Sequence, residues 1–300
     1  MFMGKREKHM NTIVVKALAK INLAIDVLSK REDGYHEIDM VTIPLKLHDS
    51  VEITPFPQHA NMETYLYCTD PTIVCDESNL AYKALNAMRD SFRVNGNFRM
   101  TINKRIPVEA GLGGGSADAA AVIKALDNFM HDSPEDKDRI EHDLAMGIGS
   151  DVPFCLYDKP SRVQGRGEVL IPIEVKYPYH VLIVKPNVGL STKSVYEAYD
   201  LVHDEIKHPD IPALIKALRE DDEEGIRTHL VNVLSVPAIK ALPLIQELLD
   251  KMTLMGLTMN GMSGTGSACF ALHKDKKTLE RAKNIFEKDG FDCYLTEFAI

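Results

Sequence analysis

The stretch Pro107-Val-Glu-Ala-Gly111-Leu-Gly113-Gly114-Gly115-Ser116-Ala117-Asp118 decides how the rest of the chain is read. Its four glycines at 111 and 113–115 let the backbone turn tightly and bring N–H groups close to an anion. Before it, Phe98, Met100 and Ile102 alternate with Arg99, Thr101 and Asn103, which predicts a strand. After it, Ala119, Ile123, Leu126 and Met130 fall on one face at helical spacing, with Ser116 as the expected cap. The order is strand, glycine loop, helix. The loop therefore sits at the positive end of a helix dipole, where phosphate is favoured.

Two familiar phosphate loops do not fit. No Lys follows these glycines, as a Walker-type loop requires. A dinucleotide loop follows its strand directly, whereas Lys104 to Ala110 intervene here, and Ser116 stands where the third glycine belongs. The His-Arg-Asp and Asp-Phe-Gly signatures of protein kinases are missing too. Taken alone, the glycines suit a ligand-free loop as well as a phosphate loop.

The chain has 300 residues, enough for one large domain or two ordinary ones. A net charge of −9 argues against a general nucleic-acid binder. It also means that positive groups for an anionic ligand must be concentrated locally, with Lys20 and Lys104 as candidates. No apolar run is long enough to span a membrane. Residues 1–10 are charged, lack a signal-peptide core and read as a disordered extension. The five cysteines are scattered with no Cys-x-x-Cys pair, which suits reduced thiols in the cytoplasm.

From Ile13 to Val27 apolar residues recur at every second position, predicting a long strand. Lys20 and Asn22 share its opposite face. Arg31-Glu-Asp-Gly34 reads as a turn. Ile43, Leu45 and Leu47, then His48-Asp-Ser50, then Val51 and Ile53 read as a hairpin. Ser78-Asn79 caps a helix carrying Leu80, Ala84, Leu85 and Met88, and another helix is expected near 140–146. A boundary falls near 165–175, dividing the chain into 11–168 and 169–300. Beyond it come a strand at 181–184, helices near 192–203, 212–219, 223–234 and 238–252, strands near 257–261 and 268–272, a helix over 275–288 and a strand over 291–297. Without the extra helices this is β-α-β-β-α-β, a ferredoxin-like layout.

Phosphoryl transfer needs a carboxylate and a cation outside the loop. Asp151 lies in Gly147-Ile-Gly149-Ser-Asp151-Val-Pro153, which on its own could equally be a turn Asp bonding its own backbone. Lys20, in Ala19-Lys20-Ile-Asn22-Leu, could equally be an exposed strand lysine.

Together with Pro-x-x-x-Gly-Leu-Gly-Gly-Gly-Ser, these segments resemble the GHMP kinases, from about Val15 to Leu272. A third match is Met262-Ser-Gly264-Thr-Gly266-Ser-Ala268. Within the superfamily, Asp33-Gly-Tyr35-His36 is similar to the branch whose acceptor carries a cytidine diphosphate tag. The resemblance implies an α+β, two-domain GHMP kinase fold, with an N-terminal ribosomal-protein-S5-like ATP-binding domain and a C-terminal ferredoxin-like domain. It implies that Asp151 takes the acceptor's proton and that Lys20 faces it. Pro107, Gly111, Leu112, Gly113, Gly114, Gly115, Ser116 and Ala117 would hold ATP, with Asn79, Leu80 and Lys104 near the adenine. Ser78 stands where the family usually has Asp, and Ser235 where it tends to have an acidic residue.

Asn22 and Thr192 would contact the acceptor. Tyr35 and Tyr196 would sandwich its cytosine, and His36 would bond the base edge. The implied reaction is ATP-dependent phosphorylation of the 2-hydroxyl of cytidine diphosphate-linked methylerythritol, on the non-mevalonate route to isoprenoid precursors. Mg²⁺ would arrive with ATP, held by phosphates, water and Ser116. The enzyme would be a cytoplasmic monomer or homodimer that binds neither nucleic acid nor membrane. A GHMP kinase for a small acceptor such as mevalonate or homoserine, or a non-catalytic nucleotide sensor, are the alternatives.

Overall fold

The period-two run becomes β1 (Ile13–Lys30), antiparallel to β2 (His36–Pro55) across the 31–35 turn. Gly34 takes φ +84 there, and Tyr35 O accepts from Arg31 N. These contacts come from a computed structural model that describes residues 11–56, 62–129, 135–202 and 206–300. The expected extension at 1–10, Met130 and position 203 of the expected 192–203 helix lie outside the described residues.

The hairpin expected within 43–53 is not formed. β2 runs straight through His48-Asp49-Ser50 and pairs with β1 on one side. Asp49 is fully buried. Its Oδ1 accepts from the backbone N–H groups of Arg105 (2.5 Å) and Ile106 (2.8 Å). A turn-forming residue is here an internal acceptor for another segment, so its carboxylate never caps a turn of its own.

The first sheet continues with β3 (Tyr65–Cys68), parallel to β4 (Phe98–Asn103), and β4 pairs with β2. Between them runs α1 (Leu80–Phe92), capped by Asn79, whose side chain accepts from Ala81 N. The glycine loop leads into α2 (Gly114–Leu126), which buries Ala117, Ala119, Ala120, Ala121, Val122, Ile123, Ala125 and Leu126. Alanines around most of its circumference let it pack closely against both α1 and β1. Its cap is Gly113, at φ +72, so Ser116 lies inside the first turn and caps nothing. The helix starts early because glycine alone takes that conformation cheaply.

α3 (Lys137–Ile148) and α4 (Val152–Tyr157) follow, then β5 (Ser161–Gly165) and β6 (Val169–Pro172). β5 pairs with β2, and β6 with β5, so the first sheet extends past the 168/169 junction to Pro172. The strand order is β3-β4-β2-β5-β6, with β1 paired to β2.

The second half holds β7 (His180–Lys185), α5 (Thr192–Tyr199), α6 (Ile211–Glu220), α7 (Glu223–His229), α8 (Ser235–Ala241), α9 (Leu244–Leu254), β8 (Asn260–Met262), β9 (Cys269–His273), α10 (Lys276–Lys288) and β10 (Asp292–Glu297). Its sheet has the order β10-β7-β9-β8 and every pair is antiparallel. This is the expected ferredoxin-like layout.

Three expected helices are cut short or split. The 192–203 helix gives way to a turn after Tyr199. The 238–252 helix is split at Leu242-Pro243, since proline has no N–H to continue the ladder. The 223–234 helix stops at His229 because the next segment pairs with β1: Ile25 N donates to Val231 O (3.1 Å) and Val233 N to Ile25 O (3.1 Å). β1 is thus bonded to both halves, which lie in one body with a cleft along the seam.

Candidate active site

The cleft has a volume of about 1070 Å³. Every site residue expected from sequence lines it except Ala117, which is buried in α2. Its floor is built from backbone. Lys20 N donates to Leu112 O at 3.0 Å, tying the glycine loop to β1. Ser263 Oγ donates to Gly111 O at 3.0 Å, tying it to the second glycine turn. A Cβ on Gly111, which takes φ +69, would overlap the Ser263 carbonyl. The two glycine segments pack backbone to backbone, and only glycine permits this approach.

Lys20 is 4 % exposed, although strand lysines are ordinarily solvated. Its Nζ donates to Asn22 Oδ1 at 2.7 Å and lies 3.3 Å from Asp151 Oδ2. Asn22 is held in turn: its Nδ2 donates to Thr42 Oγ1 at 2.9 Å and contacts Met40 Sδ at 3.1 Å. Asp151 occupies the residue before α4, but its side chain makes no capping bond there. The carboxylate is one-third exposed and faces the lysine instead. Residues 131 apart in sequence therefore form one ion pair at the cleft wall.

Lys104 lines the cleft from within a buried ionic network. Its Nζ is buried between Asp49 Oδ2 (2.6 Å) and Asp118 Oδ2 (3.0 Å), beneath Gly114. Burial works against its charge, yet Asp118 and Asp49 outweigh burial and raise its pKa above the ordinary lysine value. Burial, with Asp49 adding repulsion against the pull of Lys104, raises the Asp118 carboxyl to about 7. The second oxygen of Asp118 has no hydrogen-bond partner among the described residues. Sequence reading missed this triad. Asp118 follows the glycines, and its position early in α2 was the available signal.

At the other end, Tyr35 is half exposed, with the Arg166 guanidinium 4.3 Å from its ring centre. The His36 ring stacks on Tyr196 with centroids 4.9 Å apart. The structure thus brings Tyr35, His36 and Tyr196 together at the cleft, with the Tyr196 ring against His36. Burial raises the Tyr196 hydroxyl well above its ordinary value, so it stays protonated. Thr192 Oγ1 is 3.2 Å from Thr265 Oγ1, linking α5 to the second glycine turn. Arg166 and Asp200 also line the cleft and were not singled out from sequence.

Among the described residues no three His, Cys, Asp or Glu side chains gather as a metal site, and no helix is long and apolar enough to cross a membrane.

The chain matches the family model for the GHMP kinases N terminal domain over residues 79–159 and that for the GHMP kinases C terminal over 202–292. It is 34% identical to a 4-diphosphocytidyl-2-C-methyl-D-erythritol kinase of Acetivibrio thermocellus, covering 96% of this chain and 99% of that one. It is 37% identical to the protein of the same name from Lachnoclostridium phytofermentans, covering 96% and 98%. A crystal structure of 4-(cytidine 5'-diphospho)-2C-methyl-D-erythritol kinase superposes with a TM-score of 0.78 at 30% identity, over 95% of this chain and 99% of that one. Homoserine kinase from Cytophaga hutchinsonii shares the fold, with a TM-score of 0.73 at 16% identity over 98% and 96%.

Proposed function

Because the chain belongs to the GHMP kinase family, among its 4-diphosphocytidyl-2-C-methyl-D-erythritol kinases, we propose that this cleft transfers the γ-phosphoryl group of ATP to the 2-hydroxyl of that cytidyl acceptor. The protein is an ATP-dependent small-molecule kinase of the methylerythritol phosphate route to isoprenoids. The observation that carries the mechanism is the Lys20–Asp151 pair, 3.3 Å apart between the glycine loop and the aromatic end of the cleft.

The Asp151 carboxylate accepts the hydroxyl proton. The acceptor oxygen bonds to the γ-phosphorus as the bond to the bridging oxygen breaks, and ADP leaves. Lys20, paired with Asp151 at 3.3 Å, stabilises charge growing on the transferring group. Backbone N–H groups at Gly111 to Ser116 hold the phosphates, aided by the α2 dipole. Asn22 orients the acceptor. Tyr35 offers a face to cytosine, and His36, backed by Tyr196, meets the edge of the base. Thr192 flanks the acceptor. Asn79 and Leu80 border the adenine, and Lys104 supports that pocket from below.

The donors present fit Mg²⁺, which keeps waters and takes only one or two protein ligands. Ser116 would hold it on the loop side, and the ion would neutralise phosphate charge. We place the enzyme in the cytoplasm, where its five free cysteines stay reduced, as a monomer or homodimer that binds no nucleic acid.

The test is ADP release by the purified chain with Mg-ATP and three acceptors: the cytidyl substrate, mevalonate and homoserine. Turnover with the cytidyl acceptor alone is expected. Turnover with a small acceptor alone would keep the chemistry and discard the acceptor, and silence with all three would leave a nucleotide sensor.

A further inference from the structure

The acceptor end holds a carboxylate that this mechanism does not use. Asp200, just after α5, lies 2.6 Å from His36 Nε2 through Oδ1 and 2.5 Å from Lys30 Nζ through Oδ2. All three residues line the cleft. Burial works to raise the Asp200 carboxyl, but the bonds from Lys30 and His36 outweigh it and hold it below its ordinary value. An ionised carboxylate can only accept, so the proton between it and His36 belongs to Nε2. The imidazole is fixed from a second side by the Tyr196 stack. Its Nδ1 has no hydrogen-bond partner among the described residues. An exposed Lys30–Asp200 pair alone would contribute little. A carboxylate that also fixes a histidine tautomer controls what the other ring nitrogen recognises.

We propose that Asp200 is a positioning residue that sets base specificity: by holding the proton on His36 Nε2, it presents Nδ1 as the acceptor for the cytosine 4-amino group. Uracil carries a carbonyl oxygen at that position. Two acceptors would then face each other, one of them desolvated and unpaired. Without Asp200 the ring is free to move its proton to Nδ1 and tolerate the uridyl acceptor. The inference rests on the cytidyl-acceptor function proposed for the cleft.

The experiment measures kcat/KM of the full chain for the cytidyl acceptor and for its uridyl analogue, in unsubstituted protein, Asp200→Ala and Asp200→Glu. The unsubstituted chain is expected to favour the cytidyl acceptor. Asp200→Ala is expected to lower that preference by about tenfold or more, the scale set by one lost base contact. The loss falls on the acceptor KM while the KM for ATP holds. Asp200→Glu, which keeps a carboxylate, restores part of the preference. An unchanged cytidyl-to-uridyl ratio in Asp200→Ala overturns the role of Asp200 while leaving the kinase function intact. Failure of the unsubstituted chain to use the cytidyl acceptor overturns the function, and the inference with it. Should Asp200→Ala not fold, the ring-nitrogen chemical shifts of His36 in the unsubstituted chain with cytidine 5'-diphosphate decide the matter. A proton on Nε2 alone supports the proposal, and a proton on Nδ1 overturns it.

Discussion

The two ends of the cleft are made from different materials. The phosphate end is backbone pressed against backbone, with Gly111 under the Ser263 carbonyl and Lys20 N bonded to Leu112 O. The base end is made of side chains that hold one another: Arg166 over Tyr35, Tyr196 against His36, and Asp200 between His36 and Lys30. A backbone site tolerates little change but makes no choice among nucleotides. A side-chain site can be altered residue by residue, and on the function proposed above it carries the choice of acceptor.

The largest expected effect lies where the two ends meet. Asp151→Asn keeps the shape of the wall but cannot take a proton, so kcat is expected to fall by about 10² to 10⁴, with both ligands still bound. Steady-state turnover and equilibrium binding check this. Full activity would remove Asp151 from the reaction.

A pair of glycine substitutions tests the contrast directly. Gly111→Ala combines a positive φ with backbone overlap and is expected to cost on the order of 3 kcal/mol. Gly34→Ala also has a positive φ, at +84, but its Cβ would enter open space, so only about 1 kcal/mol is expected. Urea unfolding of both variants measures the difference. Equal losses would mean that the phosphate end is no more tightly built than the base end.

The buried triad is tested through pH rather than through shape. The folded Asp118 carboxyl is raised to about 7 from an ordinary 3.8, chiefly by burial, so the folded chain binds more protons than the unfolded one between those values. Its stabilising contribution is complete at low pH and is lost as pH rises through about 7, with a slope of at most about 1.4 kcal/mol per pH unit. Asp118→Asn mimics the protonated form and should flatten this dependence. Unfolding measured at several pH values would show it, and unchanged slopes would mean that Asp118 stays ionised throughout.

The material of each end also explains what could be read from sequence. Strand, glycine loop and helix are local patterns, and they appear where Phe98 to Leu126 placed them. The ferredoxin-like half was legible for the same reason. Lys20 and Asp151 were legible only by resemblance, since no spacing rule joins residues 131 apart. Asp49 misled because Asp is a turn former, and only the fold shows that its oxygens are taken by Lys104, Arg105 and Ile106. Arg166 sits in a Gly-Arg-Gly turn that marked a boundary and nothing more. Asp200 follows an ordinary amphipathic helix. The role of each depends on a partner from a distant element, which composition and periodicity do not encode.

One strand spans both ends. Along β2, in order, lie His36 beside the base reader's carboxylate, Thr42 against Asn22, Pro44 opposite Lys20, and Asp49 beneath the phosphate loop. The strand is a ruler, and on the proposed assignment its marks follow the order of the reactants from cytosine to ATP. Its alignment with β1 is set by bulges between Leu18 and Lys20 and between Asn22 and Ala24. A slip of one residue would turn Lys20 and Asn22 to the other face. On the same assignment, the span an acceptor bridges between its base and its reacting hydroxyl is fixed by the bulged register of β1 on β2.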